Sequence, residues 1–214
     1  PNYYALHMNS CLRAFLCAAM AAFSCVPGAL ARPPADPKAE RVVSLAPNLT
    51  EIVCAVGGAH HLVGRTSACS FPPEVVSNVT VVGGFGDPSL ESLLAARPTI
   101  VLDVALADEA LSQKISEIGL RRARIPCKSL GDITNAITSV GALIGHEAEA
   151  EALVADLHTM IEAFRASSRT ARHRPRVYAE IWCDPLTTAG KNSFISEMIS
   201  LAGGDNVGDV VNKD

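Results

Sequence analysis

Glu147-Ala-Glu-Ala-Glu-Ala-Leu-Val-Ala-Asp-Leu-His-Thr-Met-Ile-Glu-Ala-Phe-Arg-Ala-Ser167 decides the architecture. Ala152, Leu153, Ala155, Leu157, Ile161 and Phe164 recur at helical spacing, and neither Gly nor Pro interrupts them. At 1.5 Å per residue the stretch predicts a helix about 30 Å long. Polar, basic residues from Ser167 to Pro175 follow it. A strand pattern over Arg176–Trp182 and a helix pattern over Ser193–Ala202 come next. The long helix, assigned to 146–170, therefore bridges an amino-terminal lobe over 41–145 and a second lobe that begins at 175. Only about 40 residues remain there, too few for a separate α/β core, so the second lobe is expected to be cut short.

Upstream of the strut, short apolar runs alternate with helical patterns. Arg41–Ala46 reads as a buried strand, and Asn48-Leu-Thr-Glu51 has capping-box spacing for a helix reaching Val56. Leu62–Thr66, Val79–Val82, Thr99–Asp103 and Arg124–Cys127 read as further strands. Ser89–Arg97, Ala107–Ile118 and Asp132–Ile144 read as helices, the first led in by Asp87-Pro88. Strand–helix alternation without hairpin signals predicts an α/β fold, a parallel sheet with helices on both faces.

The amino terminus is of another kind. Met8 and Arg13 precede an apolar run, Ala14–Val26, and the small-residue site Ala29-Leu-Ala31. Residues 8–31 are expected to be a signal peptide cut after Ala31, exporting the protein to the periplasm. The run is shorter than the roughly 20 residues a membrane span needs. Phe23 argues against lipid anchoring at Cys25, residues 1–7 read as upstream frame, and the proline-rich 32–40 as an extended leader. The chain's net charge of −4 becomes −5 without the leader peptide, a balance that argues against nucleic acid as a partner. With 49% hydrophobic and 19% charged residues, the composition is that of a globular protein. Cys54, Cys69, Cys127 and Cys183 remain after cleavage, and their three full pairings stay open. They form no C-x-x-C pair, so a zinc knuckle is not expected, and Cys54 falls on an apolar helix face as a small core residue.

Ligands of open parallel sheets gather at the carboxyl ends of the strands. Pro47, Asn48, Phe71, Phe85, Val104 and Trp182 all sit at such ends. Aromatic walls with a few polar groups suit a flat, apolar macrocycle, although Phe71 and Phe85 would equally serve as plugs at a lobe edge. His60-His61 lies at the opposite, amino end of the sheet and is expected to be solvated, with no metal held. No G-x-S-x-G elbow accompanies the serines, and Asp103 and Asp184 have no paired base, so no enzyme is expected.

Several fragments, in order, carry a resemblance: Arg41-Val-Val-Ser-Leu-Ala-Pro-Asn-Leu-Thr-Glu51, Phe71-Pro-Pro, Val81-Val-Gly-Gly-Phe-Gly-Asp-Pro-Ser-Leu-Glu91, Ala96-Arg-Pro-Thr-Ile-Val-Leu102, Asp184-Pro-Leu-Thr-Thr-Ala-Gly190 and Ala202-Gly-Gly-Asp-Asn206. Together they resemble the cobalamin and iron-chelate class of periplasmic binding proteins, over about residues 41–210. The resemblance implies two α/β lobes joined by one long helix, with ligand in the cleft between them. It implies a transported metal chelate (cobalamin, haem or a ferric siderophore), no intrinsic cofactor, a monomer, and delivery to an ABC permease. Glu91 matches a glutamate with which members dock on permease arginines, and it also reads as an ordinary first-turn acid. Ala68 and Val104 stand where cobalamin-binding members carry aromatic rings, which implies a less aromatic pocket. A binding module of a sensor or adhesin fits the same features.

Overall fold

The computed structural model describes residues 40–104 and 109–210. The upstream frame, the signal peptide with its cleavage after Ala31, the leader up to residue 39 and the start of the helix expected from Ala107 lie outside the described residues.

Along the chain, β1 (Val42–Ser44) leads into α1 (Pro47–Ala55), and β2 (Leu62–Arg65) into α2 (Pro73–Val76). β3 (Thr80–Val81) precedes β4 (Gly83–Gly84) and β5 (Asp87–Pro88). α3 (Leu90–Ala96), β6 (Ile100–Asp103), α4 (Glu109–Glu117), β7 (Arg122–Arg124) and α5 (Leu130–Ile144) follow. Then come α6 (Glu147–Arg169), β8 (Arg176–Val177), β9 (Glu180–Cys183), β10 (Leu186–Thr188), α7 (Phe194–Leu201) and β11 (Asp205–Asn206). Among the described residues no helix is long and apolar enough to cross a membrane.

The principal sheet runs β3-β2-β1-β6-β7 and is parallel throughout. Successive side chains of a strand point to opposite faces, and the core is divided accordingly. Val42, Leu62, Ile100 and Leu102 pack with Leu49, Ile52 and Val53 of α1, Ile137 and Val140 of α5, and Ala150 of α6. Val43, Leu45 and Val101 turn the other way, onto Leu93 of α3 and Ile115 of α4. Each face is therefore dry, as a parallel sheet requires.

Gly145 ends α5 in the left-handed conformation (φ 75°), and α6 starts two residues later. A Cβ on Gly141 would lie 2.4 Å from the Ala150 Cβ, so α5 and α6 cross almost backbone to backbone. At its far end α6 sets Ser168 against Gly203, beyond α7. The carboxyl-terminal part adds the parallel pair β8–β11 and the antiparallel pair β9–β10. The fold is thus α/β: a parallel sheet covered on both faces, a long helix, and part of a second α/β unit.

Four local expectations are corrected. The capping box at Asn48 does not form: Ala46 is the N-cap and Pro47 enters the first turn of α1, where its fixed φ fits a helix. Hairpins occur after all, at β4–β5 and β9–β10, the former turning at Gly86 with φ 79°. The strand expected over Arg176–Trp182 is split at Tyr178-Ala179 into β8 and β9. Finally, β7 pairs through Arg122–Arg124 rather than Arg124–Cys127, because buried Asp103 draws both arginines: Arg122 Nε at 3.4 Å and Arg124 Nε at 3.9 Å. As an outermost strand it tolerates that charge.

Candidate functional site

β1 hands the chain outward to β2 and β3, whereas β6, its other neighbour, hands it the opposite way to β7. The β1/β6 junction is therefore where the strand order reverses, and ligands of open α/β sheets bind in the crevice outside that point. Pro47 and Asn48 follow β1 and Val104 follows β6, all half-buried, so these three flank the crevice. Burial raises the pKa of the Cys127 thiol beyond β7, the nearby Asn48 side chain acting in the opposite direction.

The other side of this edge is held by a residue the sequence reading missed. Arg65, last in β2, donates from Nε to the Val76 carbonyl (2.7 Å) and from Nη1 to the carbonyls of Thr66 (3.1 Å) and Cys69 (3.0 Å). Thr66 and Cys69 are fully buried and pair side chain to side chain at 3.2 Å. The loop that bears Phe71 is thus stapled at both its ends. Ser67 N–H donates to the Gly83 carbonyl (2.8 Å), which binds this loop to the β4–β5 hairpin carrying Phe85 at its turn. Phe71 (55% exposed) and Phe85 (48%) consequently belong to two linked loops beyond β2 and β3, and neither ring is used in the core.

Trp182 lies apart, on β9 opposite Thr187, and is 64% exposed. Its indole N–H donates to the Asp184 carbonyl at 2.9 Å, so the ring is oriented by its own turn. Glu91 is exposed in the first turn of α3. Asp103 is 1% exposed and engaged with Arg122 and Arg124, which leaves it poorly placed as a base. The four described cysteines are free thiols. Cys54 is half-buried against the core, and burial, with Glu74 and Glu51 adding to it, pushes its pKa up to about 11.

One expectation at the amino end is corrected. His61 is not a solvated loop residue: it is 7% exposed and packs edge-on against His146, whereas His60 is exposed as expected. The partner stands 85 residues away, which no local pattern could announce.

Residues 42–212 match the family model described as periplasmic binding protein. The chain belongs to that family. The family is one of substrate-binding proteins rather than enzymes. A vitamin B12-binding protein of Pectobacterium atrosepticum is 25% identical over 173 residues, covering 78% of this chain and 62% of its own length. Among solved structures, the periplasmic heme-binding protein RhuT from Roseiflexus sp. RS-1 is 31% identical with a TM-score of 0.69, over 78% of this chain and 65% of that one. The periplasmic vitamin B12 binding protein BtuF of Vibrio cholerae shares the fold with a TM-score of 0.72 at 22% identity, over 82% and 68%. The chain spans about three fifths of the length of the curated relative.

Proposed function

We propose that this periplasmic binding protein is the exported receptor of an ABC importer, taking cobalamin or a related metal chelate, haem or a ferric siderophore, into a cleft between its two lobes. The observation that carries this reading is the exposure of Phe71, Phe85 and Trp182 at the strand ends that surround the β1/β6 crevice and on β9. Large rings left in water are costly unless something covers them, and a macrocycle offers matching apolar area. Pro47, Asn48 and Val104 would line the floor. The bridging helix, without Gly or Pro, would limit closure to a small hinge. Glu91, exposed on α3, would steer docking on permease arginines. The vitamin B12-binding protein of Pectobacterium atrosepticum and the heme-binding RhuT support this ligand class without choosing within it.

Trp182, the single tryptophan of these 214 residues, is a fluorescence reporter on β9. Titration of the full-length protein with cyanocobalamin, haemin and a ferric siderophore is expected to give saturable quenching by at least one of them. Phe71→Ala and Phe85→Ala should each weaken that ligand about tenfold, the equivalent of roughly 1.4 kcal/mol. Glu91→Lys should leave binding unchanged and slow uptake in cells. Absence of saturable quenching by all three chelates overturns the ligand class.

A further inference from the structure

A second site lies at the other end of the sheet. His60 and His61 form the turn that leads into β2, and His146 sits at the joint between α5 and α6. The geometry points to a binding site for a divalent first-row transition cation, zinc in the first instance, held by these three imidazoles. It lies at the amino ends of the strands, away from the crevice, and does not depend on the chelate reading.

Four observations carry it. His61 Nε2 and His146 Nε2 are 3.3 Å apart. That is long for an N–H hydrogen bond, but it matches the edge of a tetrahedron about a zinc ion, about 3.3–3.4 Å for Zn–N bonds of roughly 2.0–2.1 Å. All three histidines present a ring nitrogen, and these nitrogens lie within 4.8 Å of one another. His60 is exposed, so its ring has room to close the remaining distance. His61 Nδ1 stands 2.8 Å from the Glu40 carbonyl. A carbonyl only accepts, so Nδ1 carries the proton and Nε2 keeps its lone pair for a metal; this is the outer-sphere arrangement of zinc histidines. Lastly, His146 Nδ1 is buried without a hydrogen bond, with the Glu149 carboxylate 3.8 Å away. Ligation through Nε2 would leave Nδ1 protonated beside that carboxylate, and a small approach of Glu149 would make a carboxylate–histidine–metal arrangement.

Three neutral imidazoles leave the fourth tetrahedral position to water. The donor set favours zinc, copper or nickel over magnesium or calcium, whose ligands are oxygens. A bound ion would join the turn before β2 to the root of α6 and fasten the long helix to the sheet.

The test is isothermal titration of tag-free full-length protein with zinc chloride, paired with thermal denaturation and a cobalt(II) spectrum. One ion per chain, a rise in Tm of several degrees, and a cobalt spectrum without a thiolate charge-transfer band are expected. Magnesium chloride should do none of this. His60→Ala, at an exposed position, should weaken zinc about tenfold or more, and His146→Ala likewise. Stoichiometric zinc binding that persists unchanged in both variants, or a thiolate band that places the ion on cysteines, would overturn the site. So would no zinc binding at all. Quenching of Trp182 by chelates is expected to be the same with and without zinc, so the two proposals fail separately.

Discussion

The sheet body and the carboxyl-terminal part, from Arg176 to Val210, use the same alternation of strand and helix and reach opposite states of cover. Every residue of β1 and β6 is buried, and every residue of β9 is exposed. α1 buries Leu49, Thr50, Ile52 and Val53, whereas α7 buries Ser196 alone. Ile181, Trp182 and Leu186 stand in water on a two-stranded ribbon, a unit of marginal stability by itself. The difference teaches where apolar residues are committed. In the sheet body they are consumed by packing on two faces; in the carboxyl-terminal part they remain at the surface, available to a ligand or to further protein.

The largest expected effect tests that contrast directly. Leu49→Ala removes a fully buried side chain between α1 and the sheet, and should cost about 2–5 kcal/mol in urea unfolding. Leu186→Ala removes a similar side chain that is 68% exposed, and should stay within about 0.5 kcal/mol. Equal losses would mean that β9–β10 is packed in solution as tightly as the sheet body, and the comparison would break.

Much of this fold was legible because its signals are local. Short buried runs such as Val42–Ser44 and Ile100–Asp103 mark strands, Gly145 marks the end of α5, and the uninterrupted apolar spacing after it marks α6. The strand ends that surround the crevice follow from the same reading, and so do Pro47, Asn48, Phe71, Phe85 and Val104 as their occupants. What was not legible depends on distant partners. β7 slides toward Arg122 because Asp103, on another strand, must be neutralised. The β4–β5 hairpin escaped because two-residue strands carry too little pattern to register. Arg65 looks like any charged residue after a strand until the loop it faces has folded back on it.

Arg65 provides the intermediate effect, and it sharpens the comparison by acting on one edge only. Arg65→Gln deletes donors to three backbone carbonyls around the Phe71 loop. Half-buried carbonyls left without a charged donor should cost about 1–3 kcal/mol. Hydrogen exchange should quicken over residues 66–76 and in the β4–β5 hairpin that Ser67 holds. Protection in α7 and β11 should be unchanged. An even increase along the chain would show that the staple supports the whole body rather than the ligand edge.

The smallest effect is read by thiol chemistry, with one cysteine from each region. Cys183 is exposed on β9, and Cys54 is half-buried on α1 with its pKa pushed up to about 11 by burial, Glu74 and Glu51. A thiolate is the reacting species, so at neutral pH Cys183 should be alkylated well before Cys54. The same shift has a signature in stability. Above the ordinary value of 9.0 the unfolded chain releases the Cys54 proton, while the folded chain keeps it until about 11. The unfolded state is favoured across that window, so this group lowers stability as pH rises from 9.0 to about 11, and makes no difference below it. Cys54→Ala should flatten that part of the pH–stability curve. If the two thiols are alkylated at the same rate, the ribbon thiol is as enclosed as the core-facing one, and the two regions differ less than their exposures state.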